Sequence, residues 1–419
     1  MSFNNVIGQA EIKQTLVELV QFNRLSHALL FLGNEGSGAL PLALAFAQYT
    51  VCEKVNGREQ AGAAAGPALF GEAPPPAGPA LFGETAAATV QQGDRPFLTD
   101  ACGICPSCVK AQKLVHPDIH FSYPVIPKKA GDKPVSTDYS SEWREFISQY
   151  PYGNAYDWLQ FIGAENKQGN ITAQECNDII HKLSLKSFES GYKILVMWMP
   201  EYLGNEGNKL LKLIEEPPPN TLFILIAENE SLILPTILSR TQLVKIPMPE
   251  TADIEKGLTA RSGVTPEQAR QIAAICEGNY HEALQLIRHA DDDWQGMLRE
   301  WLNAILKTGP IAQVKWIDEI SKLGRERQKQ FLRYFNHLLE QAIRLRYMDA
   351  GRLHIPDNEK DVALRLNKIA DTGQQKAIIE ELDRAAYYIE RNAHAKMLFH
   401  ALTIKLYHII ADKKLAVVN

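Results

Sequence analysis

The sequence predicts an α/β domain with a parallel sheet of nucleotide-binding type, then a small helical bundle, then an all-helical C-terminal part. Three observations predict it. The apolar run Ala28–Leu32 leads directly into a glycine loop and a helix-forming segment. Short apolar strands then alternate with helical patterns as far as Pro249. Beyond Pro249 the strand signals stop and only helical spacing remains.

A chain of 419 residues is long enough for two or three domains. Its 45% hydrophobic and 22% charged residues are those of an ordinary globular protein. A formal net charge of −5 excludes a globally basic, nucleic-acid-coating protein. The start MSFNNVIGQAEIKQ lacks a basic and then apolar leader, and no run approaches 18 apolar residues. Six cysteines are too few for a disulfide scaffold, and three of them fall within seven residues, which points to metal. The expectation is a cytoplasmic protein with no membrane span.

Taken in order, Val6 to Phe22 carries Ile12, Leu16, Leu19 and Val20 at helical spacing. Ala28–Leu32 is a continuous apolar run of the buried parallel-strand kind, and Ala39 to Tyr49 is rich in helix formers. Residues 53–101 interrupt the pattern. Between 61 and 90, 21 of 30 residues are Ala, Gly or Pro, and Gly66–Glu72 (GPALFGE) recurs as Gly78–Glu84. Such a composition buries too little apolar surface to offset ordering entropy, so it reads as a disordered insertion. A second irregular insertion covers 127–165, with Tyr150, Tyr152, Tyr156, Trp158 and Phe161. A helix near 172–186, a strand at 193–197, a helix over 208–214 and strands at 221–226 and 242–246 complete the α/β part. Residues 251–290 read as a helical bundle broken at Gly278, and 294–413 as helical throughout. In the last part Phe331, Leu332, Phe335, Leu338, Leu339, Ala342 and Ile343 form an i, i+3, i+4 stripe, which is core or an oligomer interface.

A working phosphate loop needs G-x-x-x-x-G-K-[ST], the lysine for phosphate charge and the hydroxyl for Mg²⁺. Gly33, Gly36 and Gly38 supply the glycines, but Ala39 and Leu40 stand where Lys and Ser/Thr belong. The acidic pair expected after the 193–197 strand is Trp198-Met199, with no carboxylate before Glu201. Neither side chain is an oxygen ligand for Mg²⁺. These are two independent losses of catalytic groups from one fold.

The run Asn208-Lys-Leu-Leu-Lys-Leu-Ile-Glu-Glu-Pro-Pro218, followed by Pro235-Thr-Ile-Leu-Ser-Arg240, resembles the bacterial DNA polymerase III clamp-loader subunits. Their signature is N-x-L-L-K-x-L-E-E-P-P and then T-I-x-S-R-C. Arg24–Phe31, His116-Pro117-Asp118, Gly278–Leu284 and Arg391–Lys396 extend the likeness over most of the chain outside the insertions. Tau/gamma subunits keep the complete phosphate loop and the Asp-Glu, so the chain is most similar to the degenerate delta-prime subunits.

This resemblance implies an AAA+ α/β domain (1–249), a helical lid (250–292) and a helical collar (293–419). It also implies a subunit that helps load a sliding clamp at primer-template DNA, in a hetero-pentamer with tau/gamma and delta. It implies that Arg240, with Ser239, serves as an arginine finger in a neighbour's ATP site, and that the chain holds no ATP of its own. For a random arginine, the competing assignment is a surface salt bridge within the chain. Two departures accompany the likeness: Thr241 replaces the cysteine of S-R-C, and His281 replaces the arginine of G-S-x-R-D-A-L.

Cys102-x-x-Cys105-x-x-Cys108 is a soft, tetrahedral donor run suited to structural Zn²⁺. Free thiols and an iron–sulfur cluster are the alternatives. The fourth ligand implied by the family pattern is Cys52, although 49 residues separate it from Cys102 where the family has about eight. Lengthening that loop costs roughly 1.6 kcal/mol, against a zinc contribution on the order of 10–16 kcal/mol. Cys176 and Cys276 fall in helical patterns as core residues. In the duplicated segments, Leu69-Phe70 and Leu81-Phe82 resemble the Leu-Phe ends of clamp-binding peptides, or mark a simple linker duplication. An autonomous AAA+ ATPase with an aberrant phosphate loop is the rival reading. A zinc-dependent DNA-binding adaptor is disfavoured, because only Lys110 and Lys113 add positive charge around the cysteines.

Overall fold

The computed structural model describes residues 1–57, 98–129, 131–164, 169–288, 293–347, 357–390 and 393–412. The chain divides into two compact units, Met1–Gln285 and Leu286–Asn419. The duplicated segments, most of the first insertion and the Arg391-Asn392 pair lie outside the described residues.

The first unit is built on five strands: β1 (Ala28–Leu32), β2 (Ile119–Ser122), β3 (Lys193–Trp198), β4 (Thr221–Ala227) and β5 (Gln242–Lys245). All pair in parallel, in the order β2-β3-β4-β1-β5. Every residue of β3 and β4 is buried, which a parallel sheet covered on both faces requires. Alternate side chains serve two different cores. Leu29, Phe31, Ile194, Val196, Leu222 and Ile224 join one cluster, and Leu30, Leu195, Met197, Phe223 and Leu225 join the other.

The first core is covered by α1 (Ala10–Gln21), α2 (Ala39–Val51) and α3 (Pro106–Gln112), with α4 (Ser140–Gln149) and α5 (Ala155–Phe161). All thirteen residues of α2 are buried, so this helix is enclosed rather than amphipathic. The opposite face takes α6 (Ala173–Ser184), α7 (Leu211–Glu215) and α8 (Pro235–Leu238). Then α9 (Thr251–Arg261), α10 (Pro266–Ile275) and α11 (Tyr280–Arg288) follow the last strand, with Gly278 at φ +94° as the break before α11.

Three expectations need correction. Residues 127–165 are not irregular: they carry α4 and α5, held by an aromatic cluster in which Trp143 stacks on Tyr123 at 4.1 Å and meets Trp158 edge-on at 5.2 Å. The helix expected over 208–214 is a 3₁₀ stretch, Pro200–Leu210, running into the short α7. Gly204, at φ +50° and ψ −142°, breaks that stretch. Edge strand β2 had no strand signal, because four residues with a half-exposed centre pair only with β3.

The second unit holds α12 (Trp294–Asn303), α13 (Pro310–Ile320), α14 (Arg325–Tyr347), α15 (Asp357–Ile369), α16 (Thr372–Glu390) and α17 (Ala395–Ala411). A π-helical turn, Ala304–Thr308, extends α12. Phe331, Leu332, Phe335, Leu338, Leu339 and Ala342 of the predicted stripe are buried in this core, while Ile343 is half-buried. Trp301 and Trp316 stack beside them, 4.6 Å apart and within 3° of parallel. Among the described residues, no helix is long and apolar enough to cross a membrane.

Candidate functional site

The glycine loop leaves the C-terminal end of β1 and is pinned to the sheet by the Gly33 N–H, which donates to the Ala227 carbonyl at 3.0 Å. Gly36 (φ +78°) and Gly38 (φ +87°) turn the chain into α2. Ala39 and Leu40 are buried apolar residues, so the helix start offers neither a cation nor a hydroxyl.

The space above this loop is filled by the chain itself. The Tyr152 ring lies 3.1 Å from where a Cβ on Gly38 would sit, and its Oη accepts the Ile7 N–H at 2.8 Å. Tyr280, in the first turn of α11, meets the Tyr152 ring edge-on at 4.6 Å, and its N–H donates to the Gly36 carbonyl at 3.3 Å. A Cβ on Gly36 would fall 1.9 Å from Asn279 Oδ1, the oxygen that caps α11 through the Glu282 N–H at 3.0 Å. Only glycine fits there.

Trp198 and Met199 close the other side. The Trp198 ring is 5.3 Å from Trp143 and 6.1 Å from Phe146, so the second insertion packs on the position where an ATPase keeps its acidic pair. What remains is a cavity of about 30 Å³ lined by the loop, Tyr152, Trp198 and Met199.

The nearby ionisable groups serve structure. Glu201 accepts the Glu228 and Asn229 N–H groups at 2.7 and 2.9 Å and so holds the turn after β4; burial raises its pKa. His281 is buried with Nε2 3.6 Å from Glu35 and Nδ1 3.6 Å from Asp157. It joins the loop, the second insertion and α11.

The four cysteines converge at one end of α2. Cys52 follows the last turn of α2, Cys105 caps α3, and the four Sγ atoms lie within 4.8 Å of one another. Backbone N–H groups of Cys102, Cys105 and Cys108 donate to the sulfurs of Cys52, Cys102 and Cys105, each at 3.4 Å. These are acceptor contacts that thiolates strengthen. The Cys102–Cys108 sulfur separation is 3.9 Å, near the ~3.8 Å edge of a tetrahedron with 2.3 Å metal–sulfur bonds. A hydrogen bond from Cys108 is the largest influence pulling the Cys52 thiol below its ordinary value, and Cys108, as the donor, moves up. Outside the sulfurs, Glu53 accepts from the N–H and Oγ of Ser107 at 3.1 and 2.9 Å, tying α3 to the end of α2. The four-sulfur donor set fits a soft or borderline metal ion held tetrahedrally. Cys176 and Cys276 are buried elsewhere, with burial pushing their thiols up to about 11 and about 12.

Arg240 sits just beyond α8, in a turn at the start of β5. Its Nε donates to Glu215 at 2.5 Å, and Nη2 pairs with the same carboxylate oxygen. Nη1 donates to the Thr236 carbonyl at 2.7 Å and to Ser239 Oγ at 3.1 Å. The guanidinium is therefore held partly exposed at the domain edge by an ion pair within the chain. The structure brings Arg240 to Ser239 and to the Glu-Glu-Pro-Pro motif, away from the chain's own glycine-loop residues and from the cysteines.

Tyr152, Asn279 and Glu215 are the site residues that sequence reasoning missed. Tyr152 and Asn279 occupy space above the loop, and only the aromatic density of 150–161 hinted at the first. Glu215 lay inside a quoted motif without a partner assigned to it.

Residues 8–66 and 84–250 match the protein family described as "DNA polymerase III, delta subunit". The chain is 26% identical over 199 residues to "DNA polymerase III subunit delta'" of Haemophilus influenzae, spanning 48% of this chain and 47% of that one. Against the Bacillus subtilis protein of the same description it is 24% identical over 281 residues, 67% of this chain and 60% of that one. It is also 22% identical over 357 residues to the B. subtilis "DNA polymerase III subunit tau", covering 81% and 46%. The chain thus spans about half the length of the curated relatives it matches. Among solved structures, a DNA polymerase III gamma-subunit-related protein of Thermotoga maritima aligns over 94% of this chain and 98% of its own, with 13% identity and a TM-score of 0.37.

Proposed function

We propose that this chain, which belongs to the DNA polymerase III delta-subunit family, acts as a delta-prime-like clamp-loader subunit that neither binds nor hydrolyses ATP. The observation that carries the reading is the filled cleft: Tyr152, Trp198 and Met199 leave about 30 Å³ over a glycine loop that lacks its lysine and hydroxyl. A chain that cannot cycle through nucleotide states contributes to a ring by geometry. Its α/β part (1–249), lid (250–292) and collar (293–419) would join tau/gamma and delta chains in a cytoplasmic hetero-pentamer that places a sliding clamp on primer-template DNA.

Within that ring, Arg240 would reach a neighbour's ATP as a finger, with Ser239 holding its Nη1 edge. The ion pair to Glu215 is no obstacle, since an exposed pair contributes roughly 0–1 kcal/mol and a phosphate is the stronger partner for the fork. Cys52, Cys102, Cys105 and Cys108 would hold one structural Zn²⁺, whose part is to cross-link α2 to α3.

Two measurements test the reading. Calorimetric titration of the isolated chain with ATP-Mg²⁺ should give no saturable binding at micromolar concentration. Mixed with tau/gamma and delta chains, the protein should co-elute as one assembly and be required for clamp loading on primed DNA. A micromolar Kd for ATP, or loading that proceeds equally well without this chain, overturns it.

A further inference from the structure

In the second unit, α12 with its π turn on one side and α15 on the other enclose an open groove of about 460 Å³. That volume falls within the ~300–1,000 Å³ of ligand pockets. Its apolar lining follows two helical stripes: Leu298, Leu302 and Leu306 at i, i+4, i+8, and Val362, Leu366 and Ile369 at i, i+4, i+7. The first stripe rises about 12 Å, a little over two helical turns. Leu298, Leu302 and Leu366 are otherwise buried and form the floor, while Leu306, Val362 and Ile369 form the more open walls.

The lips are cationic. Arg299 and Lys307 stand on one side and Arg365 and Lys368 on the other, all four exposed. None of them makes an ion pair among the described residues, and no lining residue is acidic. The π turn Ala304–Thr308 carries Leu306 and Lys307 into the groove. Such turns are rare and concentrate at functional sites.

We propose that this groove docks one acidic amphipathic helix from a partner protein. Apolar residues at i, i+4 and i+7 of that helix would seat between the two leucine-rich stripes, and its flanking Asp or Glu side chains would pair with the four cations. This is helix-in-groove recognition. A purely apolar helix would leave four like charges crowded at its edges, and a nucleic-acid backbone would satisfy the charges but leave the apolar walls, Leu306, Val362 and Ile369, in water. An acidic amphipathic helix satisfies both features.

The test uses the full chain and a fluorescein-labelled helical peptide of about 16 residues, with Leu at i, i+4 and i+7 and Glu on both flanks. Two control peptides replace Glu by Lys, or scramble the stripe at equal composition. By fluorescence anisotropy at about 0.1 M salt, the Glu peptide should bind at least about tenfold tighter than either control. It should also slow amide exchange over 295–307 and 362–369. The charge reversal Lys307→Glu/Lys368→Glu should weaken binding at least about tenfold with unchanged Tm, and the milder Arg365→Gln should weaken it in the same direction if the double variant folds poorly. Equal binding of the scrambled peptide, affinity indifferent to these substitutions, no binding at about 1 mM, or displacement of the peptide by a single-stranded oligonucleotide or by phosphatidylglycerol vesicles overturns the proposal.

Discussion

Replacing Cys52 with serine removes one of the four sulfurs gathered between α2 and α3 and leaves the other three in place. Because a metal that binds only the folded chain stabilises it by RT ln(1 + [L]/Kd), the size of the effect follows from affinity. At the weak end of structural zinc sites, about 10 kcal/mol of binding, Kd is near 50 nM. About 10 μM free Zn²⁺ then adds about 3 kcal/mol. The first unit, Met1–Gln285, has an unfolding entropy of about 0.6 kcal/mol/K. Loaded and chelator-stripped wild-type protein should therefore differ in Tm by at least about 5 °C. In Cys52→Ser the same difference should fall to less than half, because a three-sulfur site no longer ties the end of α2 to α3. The assay is differential scanning calorimetry with metal content measured on the same samples. A wild-type difference under about 1 °C, or an undiminished difference in Cys52→Ser, refutes the reasoning.

Four further outcomes are expected. Restoring the loop chemistry with Ala39→Lys/Leu40→Thr should not restore ATP binding up to about 1 mM, because Tyr152 and Trp198 still fill the cleft; a micromolar Kd by calorimetry would show that the missing side chains alone were decisive. Tyr152→Phe leaves the buried Ile7 N–H without its 2.8 Å acceptor and should cost about 1–3 kcal/mol in urea unfolding, whereas an unchanged midpoint would mean that water replaces the phenol. Arg240→Ala should leave stability within about 1 kcal/mol and lower the ATP turnover of a reconstituted ring several-fold, with Arg240→Lys rescuing little; unchanged turnover would leave Arg240 as the salt-bridge residue seen with Glu215. Asp118 is raised by burial but lowered further by the N–H groups of Phe188, Glu189 and Ser190, so its folded pKa lies below its ordinary value. Its stabilisation is present above an unfolded pKa of about 3.9 and is lost as pH falls through the lower folded value. The stability gap between wild type and Asp118→Asn should therefore shrink below about pH 4, and a gap independent of pH in that range would count against this assignment.

How much of this was legible in the sequence depended on the kind of signal. Strands β1, β3 and β4 were readable because parallel strands buried on both faces become unbroken apolar runs. The Cys102-x-x-Cys105-x-x-Cys108 run was readable because thiol spacing survives as text, whereas Cys52, 49 residues before Cys102, was added only by the family pattern. Strand β2 was not, since Ile119–Ser122 is a short edge strand whose register comes from β3. Helices α4 and α5 were hidden because they are short and their contacts are mainly aromatic: Trp143, Phe146 and Trp158 pack on one another, and Trp143 and Phe146 also pack on the distant Trp198. The loss of the catalytic groups was plain from Ala39, Leu40, Trp198 and Met199. That Tyr152 and Asn279 pack over Gly38 and Gly36 is a fact of tertiary packing, and no local pattern encodes it.

The stem between Cys52 and Cys102 also bears on how this chain can change over time. Tyr49 Oη donates to the Leu98 carbonyl at 2.8 Å, Asp100 accepts the Phe3 and Asn4 N–H groups at 2.9 and 3.0 Å, and the Cys102 N–H reaches Cys52 Sγ at 3.4 Å. The chain is thus gripped on both sides of residues 58–97 by contacts that do not depend on how many residues lie between. Added length there raises closure entropy only logarithmically. A change in length between these contacts, such as the one the repeated GPALFGE represents, leaves the hydrogen bonds of the N-terminal residues, α2 and Cys102 as they are.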